Sequence, residues 1–548
     1  MNDRYNVRVP LRDGVTLSAD VYLPATAGPH PAIVTRTPYN KNTPESYAKG
    51  RAMSDRGYAF VWMDVRGRGD SDGVFVPWRG EAADGYDAVE WVAAQDWCKG
   101  DVATWGWSYS AYSQWLTALE QPPHLRAMIT YGSPQDPYPI GEWPTGTHPP
   151  VMLTWCRFVD GRMTQHIDAF DWPAVYTHMP ILEQDEIAGF SSDYWHADHA
   201  HPTLDEYWEP MRYSHRVSEL DVPVLHVTGW YDDGAGTYRN FERMSSGAAT
   251  ERARRAQTLI VGPWVHEANK DRRIGEIDFG ADAIVDLDGI ETAWLDRWLR
   301  GIENADTGAP VRIFVMGPNE WRDEHEWPLA RTVYTPYYLD GSNANSRFGG
   351  GRLAVTAAGD ERTDSYRYDP LRPVPYIYDP VWFQIGGPDD YSAIEQRGDV
   401  LVYTSDPLSE PLEITGPVRA IVHAASSARD TDFAAKLLDV HPNGFSQRLC
   451  DGAVRGRFRN GIEAEELMDP GEVYRLEIDL WYTSHVFQPG HRIRIEVASS
   501  AFPKYTRNTN TGNELATDTE AVIAENTIYH GGRFDSHVLL PVVARSAV

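Results

Sequence analysis

The pattern of hydrophobic and polar positions changes three times along the chain, near residues 134, 219 and 332. In the first section, short β-branched and apolar runs alternate with segments whose apolar residues recur every three or four positions. Buried strands that alternate with amphipathic helices are typical of a mostly parallel sheet covered on both faces. The pattern predicts an opening hairpin at 7–10 and 14–23, strands at 31–35, 59–64 and 102–105, and helices at 46–56, 81–95 and 109–120.

The middle section, 134–218, is dense in proline and tryptophan and then helical in pattern. Alternation of strands and helices resumes at Val222 and ends with a strand at 311–315. We therefore expect one α/β domain in two parts, 1–133 and 219–331, with the residues between them forming a helical cap.

The last section, 332–548, has an all-β pattern. Short strands are predicted at 332–339, 400–404 and 492–497, separated by turns rich in glycine and proline. This spacing indicates a two-sheet sandwich, and a chain of 548 residues is too long for a single core. A lectin-like module that binds carbohydrate is the alternative interpretation, but we favour a structural role that also lines a pocket.

The stretch VATWGWSYSAYSQWL places one serine between a predicted strand and a predicted helix. Gly106 stands two residues before Ser108, where a small residue lets a strand turn sharply into a helix. Such a turn exposes the hydroxyl above the sheet, beside the positive end of the helix. Ser110 and Ala111 occupy the end of the motif, where the common form G-x-S-x-G has glycine, and both are small. A turn serine without catalytic function is the alternative.

A serine hydroxyl needs a base to take its proton and an acid to orient that base. In open-sheet hydrolases both follow the serine, each on a loop after a strand, in the order acid and then histidine. Asp232 follows the predicted strand 221–229, and His266 follows the predicted strand 257–261. A helix cap for Asp232 and a surface loop for His266 are the alternatives, but three residues in this order favour a catalytic triad.

Several segments together resemble the cocaine-esterase and X-Pro dipeptidyl-peptidase (peptidase S15) group of serine hydrolases. They are GWSYSAYSQW, TGWYDDG and GPWVH, with RTPYNK and DVRGRGDSDG upstream and AFPKYTRN near the C-terminus. The resemblance implies an α/β-hydrolase domain with a cap and a C-terminal jelly roll. It implies Ser108 as nucleophile, His266 as base and Asp232 as orienting acid. It also implies an oxyanion hole made by the hydroxyl of Tyr39 and the backbone N–H of Tyr109.

Aromatic residues near these motifs predict a bulky acyl pocket. The candidate substrate-binding residues are Trp107, Glu142, Trp143, Trp155, Phe158, Trp230 and Phe502. We rank a carboxylesterase first. An X-Pro dipeptidyl-peptidase, or an α-amino acid ester hydrolase that removes β-lactam side chains, needs an acid for the substrate amine, and only Glu142 is a candidate. A binding protein with a relict hydrolase domain is the non-enzymatic alternative.

Composition narrows the set of partners. With 50 basic and 79 acidic residues the net charge is −29, which argues against nucleic acids and anionic membranes. Three widely spaced cysteines and the lack of an apolar leader favour the cytoplasm. We expect a small-molecule ester or amide substrate and no cofactor, and leave a homo-oligomer open.

Two further groups of polar residues are given structural interpretations. His196, His199 and His201 fit no complete zinc motif, so we expect the end of a cap helix and no metal site. Asp72 and Glu81 are expected to be solvated at the surface.

Overall fold

The described part of the chain, residues 3–136, 147–232, 236–378 and 386–544 of a computed structural model, is built around two large sheets. The strands of its N-terminal half are β1 (Arg4–Pro10), β2 (Thr16–Tyr22), β3 (His30–Thr37), β4 (Ala59–Asp64), β5 (Cys98–Trp107), β6 (Leu125–Tyr131), β7 (Val224–Gly229), β8 (Gln257–Gly262), β9 (Arg273–Ile274), β10 (Ile277–Asp278), β11 (Val311–Val315) and β12 (Glu320–Glu324). Strands β9 and β10 form a separate ribbon, and the other ten form one sheet.

The order of the first sheet is β1-β2-β4-β3-β5-β6-β7-β8-β11-β12. Adjacent strands from β4 to β11 pair in parallel, whereas β2 pairs antiparallel with β4 and β12 pairs antiparallel with β11. The predicted opening hairpin is the antiparallel pair β1 and β2. The chain crosses from β3 to β4 on one side and then to β5 on the other. Open α/β sheets bind ligands where the strand order reverses in this way, at the carboxyl ends of the strands. Residues that follow β3 and β5 are therefore well placed for a site.

Ten α-helices lie within the described residues. They are α1 (Pro44–Asp55), α2 (Glu81–Ala93), α3 (Tyr109–Leu119), α4 (Val151–Phe158), α5 (Trp172–Thr177), α6 (Gln184–Ile187), α7 (Asp193–His199), α8 (Thr237–Gly247), α9 (Glu251–Arg255) and α10 (Leu287–Arg300). The first shows how local sequence sets a boundary, because Thr43 accepts a hydrogen bond from the N–H of Ser46 and Pro44 occupies the first turn. None of these described helices is long and apolar enough to cross a bilayer.

Helices α4 to α7 lie between β6 and β7, in the section predicted to be a cap. Their apolar residues share one core with helix α3, including Trp155 and Trp195 from the cap and Tyr112 and Trp115 from α3. We call this segment the cap. Because α3 begins directly after Ser108, the cap packs against the helix that carries the candidate nucleophile.

The C-terminal part forms the second sheet, which has eleven strands and its own apolar core. The strands are β13 (Thr332–Ser342), β14 (Gly350–Ala354), β15 (Arg362–Tyr368), β16 (Leu401–Thr404), β17 (Leu412–Ser426), β18 (Asp432–Val440), β19 (Ser446–Arg455), β20 (Tyr474–Phe487), β21 (Arg492–Ala498), β22 (Ala524–His530) and β23 (His537–Val543). Nearly all pairs are antiparallel, with β14 and β16 the parallel exception among the described strands. The all-β pattern read from the sequence corresponds to this β-rich domain.

Candidate active site

Ser108 stands at a strained turn between β5 and α3. Its backbone has φ 53° and ψ −120°, a conformation that residues with a side chain rarely adopt. Gly106 permits the turn, because a Cβ at this position would lie 2.4 Å from the carbonyl oxygen of Ser110. The N–H of Ser108 donates to the carbonyl of Tyr131, 2.9 Å away, at the end of the neighbouring strand β6. This is the geometry of a nucleophile elbow.

Asp232 and His266 form a hydrogen-bonded pair at the ends of β7 and β8. The distance from His266 Nδ1 to Asp232 Oδ1 is 2.8 Å, and the hydroxyl of Thr228 donates to Asp232 Oδ2 over 2.9 Å. Burial opposes a charged imidazole, but the Asp232 carboxylate outweighs it and raises the pKa of His266. The acid therefore both orients the ring and stabilises its protonated form.

Gly132 and Trp107 lie between the pair of Asp232 and His266 and the turn at Ser108. Gly132 follows Tyr131, and a Cβ there would lie 2.7 Å from Asp232 Oδ2 and 3.2 Å from His266 Nδ1. Trp107 donates its indole N–H to the carbonyl of His266, 2.8 Å away, and its ring stacks on Tyr131. Trp107, predicted to bind substrate, thus holds the histidine loop beside the serine.

Tyr39 lies two residues after β3, with its hydroxyl at the elbow. The side chain of Ser108 and the backbone N–H of Tyr109 lie close enough to that hydroxyl to lower its pKa. Burial raises the pKa of Tyr39, although these contacts partly offset the effect, so the phenol is protonated at neutral pH and can donate. Two donors, a phenol and a backbone amide, therefore converge beside the candidate nucleophile, as an oxyanion hole requires.

Trp155 holds Tyr39 from the cap. Its indole N–H donates to the Tyr39 hydroxyl over 3.1 Å, and its ring stacks on Trp78 at a centroid distance of 5.2 Å. Trp155 is predicted to contact substrate, and its buried side chain contacts the hydroxyl of Tyr39, the candidate oxyanion donor. Phe158, one turn later, packs beside the Tyr39 ring at 5.8 Å.

Arg68 is a supporting residue that the sequence reasoning missed. It is fully buried, and its guanidinium donates to the carbonyl of Pro38 over 2.8 Å and to that of Val159 over 2.6 Å. Burial lowers its pKa to about 10, so it stays charged at neutral pH. It therefore joins the residue before Tyr39 to the end of cap helix α4. The signal in the sequence was the motif DVRGRGDSDG, in which Arg68 stands between two glycines shortly after a strand.

Glu81 corrects an expectation. It is buried rather than solvated, because it pairs with Arg36 at 2.7 Å and accepts a hydrogen bond of 2.8 Å from the phenol of Tyr109. Asp72 does lie at the surface, in an ion pair with Arg8. The Tyr109 side chain is thus anchored in the core while its backbone N–H stays at the elbow.

The remaining predicted pocket residues divide into three groups. Trp230 is buried in a core with Tyr238 and Trp327. Its indole N–H donates to the carbonyl of Phe314 over 2.7 Å, so its contacts in the structure are those of a core residue. Phe502 is partly buried against the cap core and so joins the β-rich domain to it. Glu142 and Trp143 lie outside the described residues.

The three clustered histidines have separate partners. His196 pairs with Asp185 at 2.9 Å, and His201 pairs with Asp205 at 2.6 Å. His199 is buried at the end of α7, within hydrogen-bond distance of a backbone carbonyl. Each imidazole contributes to the packing of the cap.

Comparisons with known proteins add to this geometry. The family model described as X-Pro dipeptidyl-peptidase (S15 family) matches residues 13–268, and that of the X-Pro dipeptidyl-peptidase C-terminal non-catalytic domain matches residues 303–539. The candidate triad and both oxyanion donors fall within the first match.

Relatives match along nearly the whole chain. Cocaine esterase of Rhodococcus sp. (strain MB1 Bresler) is 38% identical over 572 residues, which cover 98% of this chain and 98% of that protein. A putative serine esterase of Mycobacterium bovis is 29% identical, over 90% of this chain and 89% of that protein. Among solved structures, an α-amino acid ester hydrolase superposes with a TM-score of 0.85 at 25% identity, covering 98% of this chain and 96% of that one.

Proposed function

The chain belongs to the X-Pro dipeptidyl-peptidase (S15) family, and we propose that this serine hydrolase cleaves carboxylic esters with a bulky or aromatic acyl group. The observation that carries the proposal is the meeting of three groups at the elbow: the Ser108 side chain, the Tyr39 hydroxyl and the Tyr109 N–H. A hydroxyl beside two donors suits acyl transfer, because negative charge develops on the carbonyl oxygen as the nucleophile attacks.

In the proposed mechanism, Ser108 Oγ attacks the ester carbonyl carbon while His266 Nε2 takes the hydroxyl proton. Asp232 holds Nδ1 of the ring at 2.8 Å and stabilises the imidazolium. Tyr39 and the Tyr109 N–H hold the oxyanion. The intermediate collapses to an acyl-serine as His266 gives its proton to the leaving alkoxide. Water then attacks the acyl group with the same histidine as base, which releases the acid and restores Ser108.

The preference for a bulky acyl group rests on the aromatic surroundings of Tyr39. Trp155 and Phe158 contact its hydroxyl and its ring, respectively. Aromatic side chains next to an oxyanion donor favour a flat or apolar acyl group over a charged amine. The proposed partner is accordingly a small-molecule ester. We also propose a cytoplasmic location, because three widely spaced cysteines do not suggest a disulfide framework.

Cleavage of α-amino acid esters is the second candidate, favoured by the likeness to the solved α-amino acid ester hydrolase. A panel of benzoyl and acetyl esters, a phenylglycine ester and Ala-Pro-nitroanilide separates the possibilities on one sample of enzyme. We expect the highest kcat/KM for the benzoyl ester. Preferential cleavage of the phenylglycine ester would support the second candidate, and preferential cleavage of Ala-Pro-nitroanilide would make the protein a peptidase.

The role of Phe158 in acyl preference has its own test. Phe158→Ala should lower the ratio of kcat/KM for benzoyl over acetyl esters by about 10-fold, the usual cost of one lost apolar contact in a specificity pocket. Phe170→Ala is the matched control, since Phe170 is a half-buried cap phenylalanine that packs on Trp172. Equal ratios in both variants would place acyl preference elsewhere.

A further inference from the structure

Three side chains of types that can bind metals meet in the β-rich domain, apart from the candidate triad. Asp439 lies on β18, His441 follows that strand, and His491 directly precedes β21. Strands β18 and β21 pair antiparallel, with Val440 opposite Arg492, so these side chains from distant parts of the sequence become neighbours.

The donor atoms already have the spacing of a metal site. His491 Nδ1 lies 2.9 Å from Asp439 Oδ1, and His441 Nε2 lies 3.9 Å from Asp439 Oδ2. All three donors lie within 4.8 Å of one another. Ligands about 2.0–2.1 Å from a tetrahedral zinc ion stand roughly 3.3 Å apart, so the observed distances bracket the required one.

Neighbouring residues support the cluster as a built site. The Asp439 side chain is 1% exposed. His485 Nε2 lies 2.8 Å from Asp439 Oδ2, and this contact orients the carboxylate. Gln447 places its Oε1 3.1 Å from His441 Nε2 and so offers a further oxygen donor. Ligating carboxylates and histidines in metal proteins are commonly oriented by such partners. The side chains of His441 and His491 are 26% and 14% exposed, so an ion can reach them from solvent.

We propose that Asp439, His441 and His491 bind a divalent transition metal ion, with zinc as the preferred ion. Two imidazoles and one carboxylate are donors that suit zinc, nickel or copper, whereas calcium and magnesium prefer oxygen donors alone. This proposal replaces the sequence-based expectation of no metal site.

The test is a zinc titration of the full chain against a chromogenic chelator. Wild type should take up one equivalent at micromolar free zinc, and His441→Ala and His491→Ala should each bind at least about 10-fold more weakly. Two controls should keep the wild-type affinity. His201→Ala removes a cap histidine that also pairs with an aspartate, and His266→Ala removes the candidate catalytic base, so the site is distinguished from both.

A second measurement covers the case in which a variant loses affinity because its fold is disturbed. Zinc should raise the unfolding temperature of wild type and of His201→Ala, and leave that of His441→Ala unchanged, while the zinc-free proteins melt at similar temperatures. The proposal is overturned if wild type binds no zinc at micromolar concentration. Equal binding by wild type and His441→Ala overturns it as well.

Discussion

The two halves of the candidate active site are held by different kinds of contact. The pair of Asp232 and His266 stands on strand ends, where Thr228 and the bare backbone of Gly132 fix the carboxylate. Tyr39 is held instead by a side chain from the cap, because Trp155 donates to its hydroxyl. Arg68 adds a second link between the Tyr39 loop and the cap.

This difference predicts which half of the candidate active site a substitution in the cap would disturb. The base and its acid depend on the register of parallel strands, which a change in the cap leaves intact. The position of Tyr39, the proposed oxyanion donor, depends on how cap helix α4 packs over the sheet edge. Substitutions in the cap should therefore alter stabilisation of the transition state as well as the choice of substrate.

Between the two halves, the larger loss of kcat is expected from a substitution in the pair of Asp232 and His266. Asp232→Asn removes the charge that supports the imidazolium and favours the wrong tautomer of His266, and we expect kcat to fall by about 10⁴-fold. Ester turnover and circular dichroism on the same sample measure the loss and check the fold. A folded variant within 10-fold of wild type would show that this pair does no catalytic work.

On the oxyanion half, Tyr39→Phe removes one hydroxyl and keeps the ring. We expect kcat to fall by about 10²–10³-fold, with little change in KM, because the donor acts on charge present only in the transition state. Steady-state kinetics on a benzoyl ester separate the two parameters. A rise in KM at constant kcat would mean that Tyr39 binds substrate without stabilising the oxyanion.

The link between the cap and Tyr39 is expected to contribute less. Trp155→Phe removes one hydrogen bond to Tyr39, and since such a bond contributes about 0.5–1.5 kcal/mol, kcat should fall by up to about 10-fold. Trp172→Phe is the matched control, because Trp172 is a buried cap indole that donates to the carbonyl of Ile167.

A double-mutant cycle sharpens this test. If Trp155 acts through the Tyr39 hydroxyl, its substitution should have little further effect on kcat in the Tyr39→Phe background. Full additivity of the two effects would mean that Trp155 contributes to turnover by another route, such as direct contact with the acyl group.

The smallest expected effect is a shift of the pH profile. His266 must be neutral to act as base, and Asp232 raises its pKa, so kcat/KM should rise with pH through a midpoint above the ordinary histidine value of 6.5. An NMR titration of the His266 ring in Asp232→Asn should give a lower pKa than in wild type. An unchanged value would remove the electrostatic role of Asp232.

The family and the fold class predicted from the sequence are confirmed. The strand runs and the order of Ser108, Asp232 and His266 were readable because strand ends place residues at one edge of a sheet. The contact of Trp155 with Tyr39, the burial of Glu81 and the packing of Trp230 were not readable, because each depends on tertiary packing. The same holds for Asp439 and His491, which only the pairing of β18 with β21 brings together.

Covalent labelling of Ser108 tests the acyl-enzyme mechanism most directly. After treatment with a fluorophosphonate, wild type should gain the mass of one adduct, peptide mapping should place it on Ser108, and ester turnover should disappear in parallel. Ser108→Ala should take up no label and lose about 10⁶-fold in kcat. An adduct on another residue, or turnover near the wild-type rate in the folded Ser108→Ala variant, would contradict the proposed mechanism.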